Sequence, residues 1–124
     1  MDSENKWLSI EFDPRSTPEL RIVHVSGRLS LETVREFVEA MHAQACPVNI
    51  VEMSGLSFMD SAGVGALVQL VVRLHRRHHR LELAGISERV RAVLDVAHVS
   101  KLFSIHATLA EAEAHVKAQG HSAS

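Results

Sequence analysis

Apolar and polar residues alternate along this chain with two different periods, which separate predicted strands from predicted helices. Strand-like patterns, alternating or continuously apolar, occur at residues 7–12, 20–25, 48–53, 81–83 and 103–105. Helical spacing predicts a first helix that runs to about residue 43 and a long second helix that follows residues 60–63 and runs to about residue 79. Two further helices follow. The residues suited to cap the first, third and fourth helices are Ser30, Ser87 and Thr108.

The order of these elements predicts the fold class. A turn with two prolines, residues 13–18, joins the first two strands and favours an antiparallel pair. After that pair, strands alternate with helices, which is typical of βαβ crossovers and a parallel sheet. We therefore predict a single α/β domain with a mixed, mostly parallel sheet of four to five strands and four helices. Its core spans about residues 6–118, and residues 119–124 form a disordered tail.

Composition indicates the cellular compartment that the protein occupies. No run approaches the roughly 18 consecutive apolar residues that a membrane-spanning helix needs. Residues 1–7 are polar and acidic and lack the basic and apolar layout of a secretory signal. Cys46 is the single cysteine, which excludes an internal disulfide and fits a small buried hydrophobic residue. We expect a cytoplasmic protein without membrane insertion.

Charge and aromatic content argue against a nucleic-acid partner. The formal net charge is −2, aromatic residues make up 4% of the chain, and tyrosine is absent. A nucleic-acid surface is typically basic and, for single strands, rich in aromatic stacking platforms. Neither property is present in the chain as a whole.

The segment 58–65, sequence FMDSAGVG, contains the strongest local signal for a functional site. A strand ends and a helix begins here, so several backbone amides have no partner within the helix. The helix dipole adds partial positive charge, which suits a carboxylate, a phosphate or an acidic group of a partner. Asp60 can cap the amides, and Gly63 and Gly65 are expected to keep the surface flat. The same features also fit an ordinary capped helix that binds nothing.

The sequence around this turn argues against an enzyme. It has no phosphate-binding loop of the G-x-x-x-x-G-K-[ST] type, and Gly63-Val64-Gly65 lacks the third glycine of the dinucleotide-binding motif. Ser61 is not in a G-x-S-x-G nucleophile motif, and no histidine is assignable to it. We predict neither catalysis nor a cofactor.

The end of the long helix is basic and rich in histidine. Its arginines fall in one arc that is expected to face solvent, and their charge complements the helix dipole. An acidic protein surface is the second interpretation of this arc, and a membrane or a nucleic acid is the third. His75 and His79 have a spacing that can share a metal, but no further ligand is assignable, so we predict no metal site and a partly buried His75. The arginines are Arg73, Arg76, Arg77 and Arg80, and His78 lies among them.

Several segments, taken together, resemble the STAS domain family, specifically its anti-sigma factor antagonists. They are residues 25–29, 50–56, 58–63, 81–86 and 103–105, sequences VSGRL, IVEMSGL, FMDSAG, LELAGI and FSI. The resemblance covers roughly residues 6 to 118. It implies a fold of successive β-α turns and a function: binding an anti-sigma factor, often a small serine kinase, so that a sigma factor is released to direct transcription.

The resemblance also implies a site. In the family the kinase phosphorylates the residue that follows Asp-Ser, and this position is Ala62, which has no hydroxyl. The family usually has aspartates where this chain has Ser30 and Glu52. Ser61 aligns with the serine that the family leaves unmodified. A role for Ser61 as a helix cap or a small surface contact is favoured over a role as the phosphate acceptor. The predicted partner-binding residues are Ser30, Asp60, Ser61, Ala62 and Gly63.

The resulting hypothesis is an antagonist-like binding module that sequesters an anti-sigma factor, or a related signalling protein, without the usual phosphorylation switch. Two alternatives remain open at this point. One is a STAS subunit of a signalling scaffold or lipid-transport complex. The other is a regulator that binds a small ligand or nucleotide at residues 60–63.

Overall fold

A computed structural model describes residues 7–43 and 46–120 of the chain. The predicted features at residues 1–6 and at the end of the tail, residues 121–124, lie outside this range. The strands are β1 (Leu8–Phe12), β2 (Leu20–Leu29), β3 (Val48–Met59), β4 (Arg80–Ala84) and β5 (Ser104–His106). The helices are α1 (Val34–His42), α2 (Ser61–Arg76), α3 (Glu88–Val96) and α4 (Leu109–Gly120), with a 3₁₀ turn at Ser100–Leu102.

The five strands form one sheet in the order β1-β2-β3-β4-β5. The first pair is antiparallel, as the short proline-containing turn predicts, and the three other pairs are parallel. The predicted fold class is confirmed: a mixed, mostly parallel sheet packed with four helices. None of the described helices is both long and apolar enough to cross a membrane.

Two strands are longer than the sequence pattern predicts. β2 continues to Leu29 and β3 continues to Met59, and the register between them shifts twice along the added length. Gly27 adopts φ +97° at one of these irregularities, a conformation that glycine tolerates best. Because such a shift interrupts the two-residue alternation, the apolar pattern stops before the strands do.

The near face of the sheet packs against α1, α2 and α3. Phe37 of α1, Leu67 of α2 and Leu94 of α3 are fully buried in one apolar cluster with the strands. The strand residues of this cluster alternate with those of the other side, as the pleat requires. They include Val23, Val25, Val51, Met53, Leu81 and Leu83.

The far face of the sheet packs against α4 alone. Its apolar cluster joins Ile22, Ile50 and Ala84 of the strands to Ala112 and Val116 of the helix. These side chains are small or medium in size, so α4 covers the sheet with less apolar contact than the three near-face helices provide.

Three helix starts test the predicted N-terminal caps. Ser87 accepts a hydrogen bond from the Val90 amide at 3.1 Å, and the Thr108 hydroxyl accepts one from Glu111 at 3.1 Å, as predicted. The prediction that Ser30 caps the first helix is wrong: residues 31–33 form a turn, and Thr33 occupies the cap position.

The long helix ends at Arg76, three residues earlier than predicted. His78 adopts φ +61°, and the His79 amide turns back to donate to the Leu74 carbonyl at 2.8 Å. This left-handed residue closes the helix in the way that glycine usually does. At the other end of the chain, α4 continues through Gly120, two residues into the predicted tail.

Candidate functional site

Asp60 lies where β3 ends and α2 begins, and its carboxylate joins two segments. Oδ1 accepts the Gly63 amide at 3.0 Å and so caps the helix, as predicted. Oδ2 accepts the Leu31 amide at 3.1 Å, which belongs to the turn after β2. One carboxylate therefore holds residues 30–33 beside the first turn of α2.

Gly63 is buried, and its role differs from the one expected from sequence. A Cβ atom on Gly63 would lie 2.4 Å from the Leu29 carbonyl oxygen and 2.9 Å from the Met59 side chain. The expectation that Gly63 keeps an outer surface flat is therefore wrong. Its missing side chain lets α2 approach the end of β2. Gly65 is the open position, because a Cβ atom there would have no neighbour within 4 Å.

Ser30 is also buried, at 1% exposure, and its hydroxyl donates to Glu32 Oε1 at 2.9 Å. Its amide donates to Thr33 Oγ1, whose own hydroxyl donates to the Arg28 carbonyl at 2.7 Å. These bonds fix the backbone of the turn. Ser30 thus lies next to Asp60 in space, as predicted, but supports the surface from within.

The turn presents two neighbouring side chains to solvent, Glu32 and the apolar Leu31, which is 73% exposed. Sequence reasoning missed Leu31. A signal was present, since Leu31 is an apolar residue between Ser30 and Glu32 that falls outside the apolar face of the following helix. On α2 the neighbouring Ser61 is exposed and Ala62 is half-buried. The outer surface consists of Leu31, Ser61 and Ala62, and we call it the α2-start surface.

The electrostatics of this turn disfavour a small anionic ligand. The Gly63 amide, which would otherwise face a phosphate or carboxylate, already bonds the Asp60 carboxylate. A second anion would meet the charge of Asp60 at short range. The geometry is that of a capped helix with an exposed apolar side chain beside it, which suits a protein surface better than a nucleotide.

Glu52 lies away from the α2-start surface, in a cluster on the far face of the sheet. Its Oε1 is 3.2 Å from His24 Nδ1, and His24 Nε2 is 2.8 Å from Asp13 Oδ2. The hydrogen bond with Asp13 raises the pKa of His24, burial opposes this, and the bond with Glu52 adds to it. The bonds with Arg15 and His24 hold the pKa of Asp13 well below its usual range.

The basic end of α2 differs in two ways from the prediction. His75 is exposed, so its predicted partial burial is wrong. Arg73, Arg76 and Arg77 are exposed as expected, but Arg80 belongs to β4 and bonds Glu82 at 2.9 Å. The helix ends before Arg80, so helical spacing does not apply to it.

Comparison with known proteins agrees with this architecture. The STAS domain family model matches residues 11–112. An anti-sigma-B factor antagonist of Listeria monocytogenes is 29% identical over 101 residues, which cover 79% of this chain and 88% of the relative.

Several solved structures have a similar fold. An anti-sigma factor antagonist from Mycobacterium paratuberculosis superimposes with a TM-score of 0.79 at 18% identity, covering 90% of this chain and 96% of that one. The antagonist SpoIIAA in its unphosphorylated form gives 0.71 at 25% identity, covering 89% and 97%. The phosphorylated form of SpoIIAA, from Bacillus, gives 0.65 at 25% identity, covering 87% and 99%.

Proposed function

The chain belongs to the STAS domain family, and we propose that within it the chain is an anti-sigma factor antagonist. It binds an anti-sigma factor through the α2-start surface and so releases a sigma factor for transcription. The function is binding, with no reaction catalysed. The similarity to antagonists of Listeria monocytogenes and to SpoIIAA supports this proposal.

The observation that carries the proposal is the exposed Leu31 beside the capped start of α2. An isoleucine- or leucine-sized side chain gains roughly 1.5–3 kcal/mol when it is fully removed from water. Asp60 holds the Leu31 amide at 3.1 Å, so this side chain stands at a fixed place next to Ser61 and Ala62. The buried core of a protein interface is apolar, so an exposed leucine whose backbone is held in place is a suitable contact for a partner.

Ala62 gives the proposal its second part. The family resemblance implies phosphorylation at this position, and SpoIIAA has been solved in both forms. A phosphate there would add about −1.5 to −2 charges to the α2-start surface. Because alanine has no hydroxyl, a kinase has no acceptor at Ala62. The antagonist therefore remains in its binding state when its anti-sigma partner is a kinase.

The docking test compares two aliphatic side chains that are exposed to a similar extent, Leu31 at 73% and Val96 at 78%. Leu31→Arg changes the α2-start surface, whereas Val96→Arg changes α3, where Val96 is 78% exposed. We expect Leu31→Arg to weaken binding to the anti-sigma factor of the host at least about tenfold, or about 1.4 kcal/mol. Val96→Arg should bind like wild type. Calorimetric titration measures both, and circular dichroism checks folding.

Two outcomes would contradict the proposed surface. Normal binding by folded Leu31→Arg would place the interface elsewhere, and an equal loss in Val96→Arg would point to a general charge effect. Failure of the wild type to bind any anti-sigma factor of the host would contradict the function itself.

The switch is tested by phosphorylation. Wild type incubated with the anti-sigma kinase and ATP should acquire no phosphate, whereas Ala62→Ser should acquire one and bind more weakly. Ala62→Asp should weaken the complex by adding part of the charge. Mass spectrometry maps the modified residue. Stoichiometric phosphate on wild-type Ser61, coupled to release, would show that the acceptor has moved by one residue.

A further inference from the structure

Three potential metal ligands from three different elements meet on the far face of the sheet. They are Glu82 of β4, His106 of β5 and His115 of α4. One ligand atom from each lies within 4.8 Å of the other two. Among residues 7–43 and 46–120, this group satisfies that criterion, and the His75 and His79 pair considered from sequence does not belong to it.

Glu82 is a buried carboxylate at 3% exposure, held with one oxygen toward the histidines. Oε2 accepts from Arg80 Nη2 at 2.9 Å, which fixes the orientation of the group. Oε1 lies 2.8 Å from His106 Nε2. Oε1 is thus directed at His106 and is positioned to ligate an ion there.

The two imidazoles face the same space. The ring centroids of His106 and His115 are 4.9 Å apart, with an angle of 44° between the ring planes. Two histidines and one carboxylate form a ligand set that zinc uses, with a fourth position left for water. The hydrogen bond from the partly exposed Arg80 to the other oxygen of the carboxylate is the type of outer support that such sites have.

We propose that Glu82, His106 and His115 bind a divalent transition metal ion of the zinc class. Zinc bonds of about 2.0–2.2 Å place the ligand atoms of a tetrahedron roughly 3.4 Å apart. The distance of 2.8 Å between Glu82 Oε1 and His106 Nε2 would widen by about 0.6 Å, and the separations to His115, within 4.8 Å, would close by about 1.4 Å at most. The ion replaces the hydrogen between Oε1 of Glu82 and Nε2 of His106, and any proton it displaces passes to solvent.

The bound ion would attach α4 to β4 and β5. This helix otherwise packs on the sheet through small side chains such as Ala112 and Val116. An ion that binds the folded chain and not the unfolded one stabilises it, by an amount that grows with the logarithm of the free ion concentration once this exceeds Kd. The site therefore predicts a zinc-dependent stability of the far face, separate from the α2-start surface and from the proposed docking function.

The first test measures zinc binding directly. Chelator-treated full-length protein is titrated with zinc chloride in a calorimeter, alongside His115→Ala and a double variant, His75→Ala with His79→Ala. We expect one equivalent to bind wild type and the double variant alike, and His115→Ala to lose at least about tenfold in affinity. His115→Cys, which supplies another zinc ligand, should restore binding.

A second readout guards against an unfolded variant. Zinc should raise the melting temperature of wild type and of His115→Cys but leave that of His115→Ala unchanged, with all three showing the same circular dichroism spectrum. Absence of stoichiometric binding by wild type would overturn the proposal. So would binding that survives in His115→Ala and disappears in the double variant, because it would place the ion on the basic end of α2.

Discussion

The two faces of the sheet differ in what they bury. The near face holds a continuous apolar cluster in which Phe37, Leu67 and Leu94 are fully buried against the strands. The far face has a smaller apolar cluster under α4, flanked by two charged groups. Asp13, His24 and Glu52 form one of these groups, and Arg80, Glu82 and His106 form the other.

This difference places most of the apolar burial on one face of the sheet and the two charged groups on the other. The near face does bury Arg21, which donates to Asn49 Oδ1 and to the Met41 carbonyl. A carboxylate or imidazole inside the apolar cluster itself would give up water without enough partners, which is costly. On the far face, each buried charge has a partner within hydrogen-bond distance. We infer that the near face supplies most of the folding free energy and positions the start of α2. The far face carries His24, for which we expect a response to pH, and the group for which we propose metal binding.

The largest expected effect tests the apolar difference. Phe37→Ala should lower the free energy of unfolding by about 3–5 kcal/mol, because it leaves a cavity in the near-face cluster. Val116→Ala, under α4 on the far face, should cost less, about 1–2 kcal/mol. Urea denaturation at one pH measures both. Equal losses would contradict the claim that the near face dominates stability.

A second, smaller effect concerns the α2 contact with the near-face strands. Gly63→Ala should destabilise the protein by about 1–3 kcal/mol, since its Cβ would meet the Leu29 carbonyl at 2.4 Å. Gly65→Ala is the matched control two residues on. It meets nothing within 4 Å and should stabilise the helix by up to about 1 kcal/mol. Thermal melts of the two variants should shift in opposite directions, and a shared direction would show that the close approach to Leu29 is not limiting.

The smallest effect concerns pH and belongs to the far face. The pKa of His24 is raised above 6.5 by Asp13, so its stabilisation is complete below about pH 6.5 and is lost as the pH rises through the raised value. Its side chain is 36% exposed, so solvent limits the gain to less than about 1 kcal/mol. His24→Gln should therefore be less stable than wild type at pH 6 and closer to it at pH 9. A constant gap between His24→Gln and wild type across this pH range would contradict the interpretation.

The sequence predicted what depends on neighbouring residues. The element order, the caps at Asp60 and Ser87 and the antiparallel first pair all follow from local patterns, and the structure confirms them. The lengths of β2 and β3 depend on their mutual register, which local alternation does not encode once a register shift occurs.

The candidate sites were predicted less completely for the same reason. Asp60, Ser61 and Ala62 are adjacent in the chain, so a motif identifies them. Leu31 joins them only through a hydrogen bond across 29 residues, and Glu82 meets His106 only because β4 and β5 pair. The burial of Gly63 depends on where β2 ends. Such contacts require the register of the sheet to be known.

The two hydrogen bonds that Asp60 accepts have a consequence for how tightly a partner can bind. Its two accepted hydrogen bonds fix Leu31 and the start of α2 in one arrangement before any partner arrives. The backbone of residue 31 and of the first turn of α2 is therefore already ordered in the folded protein. If a partner docks on the proposed α2-start surface, a preorganised contact of this kind loses less entropy on association, and more of the contact energy of Leu31 is left for affinity.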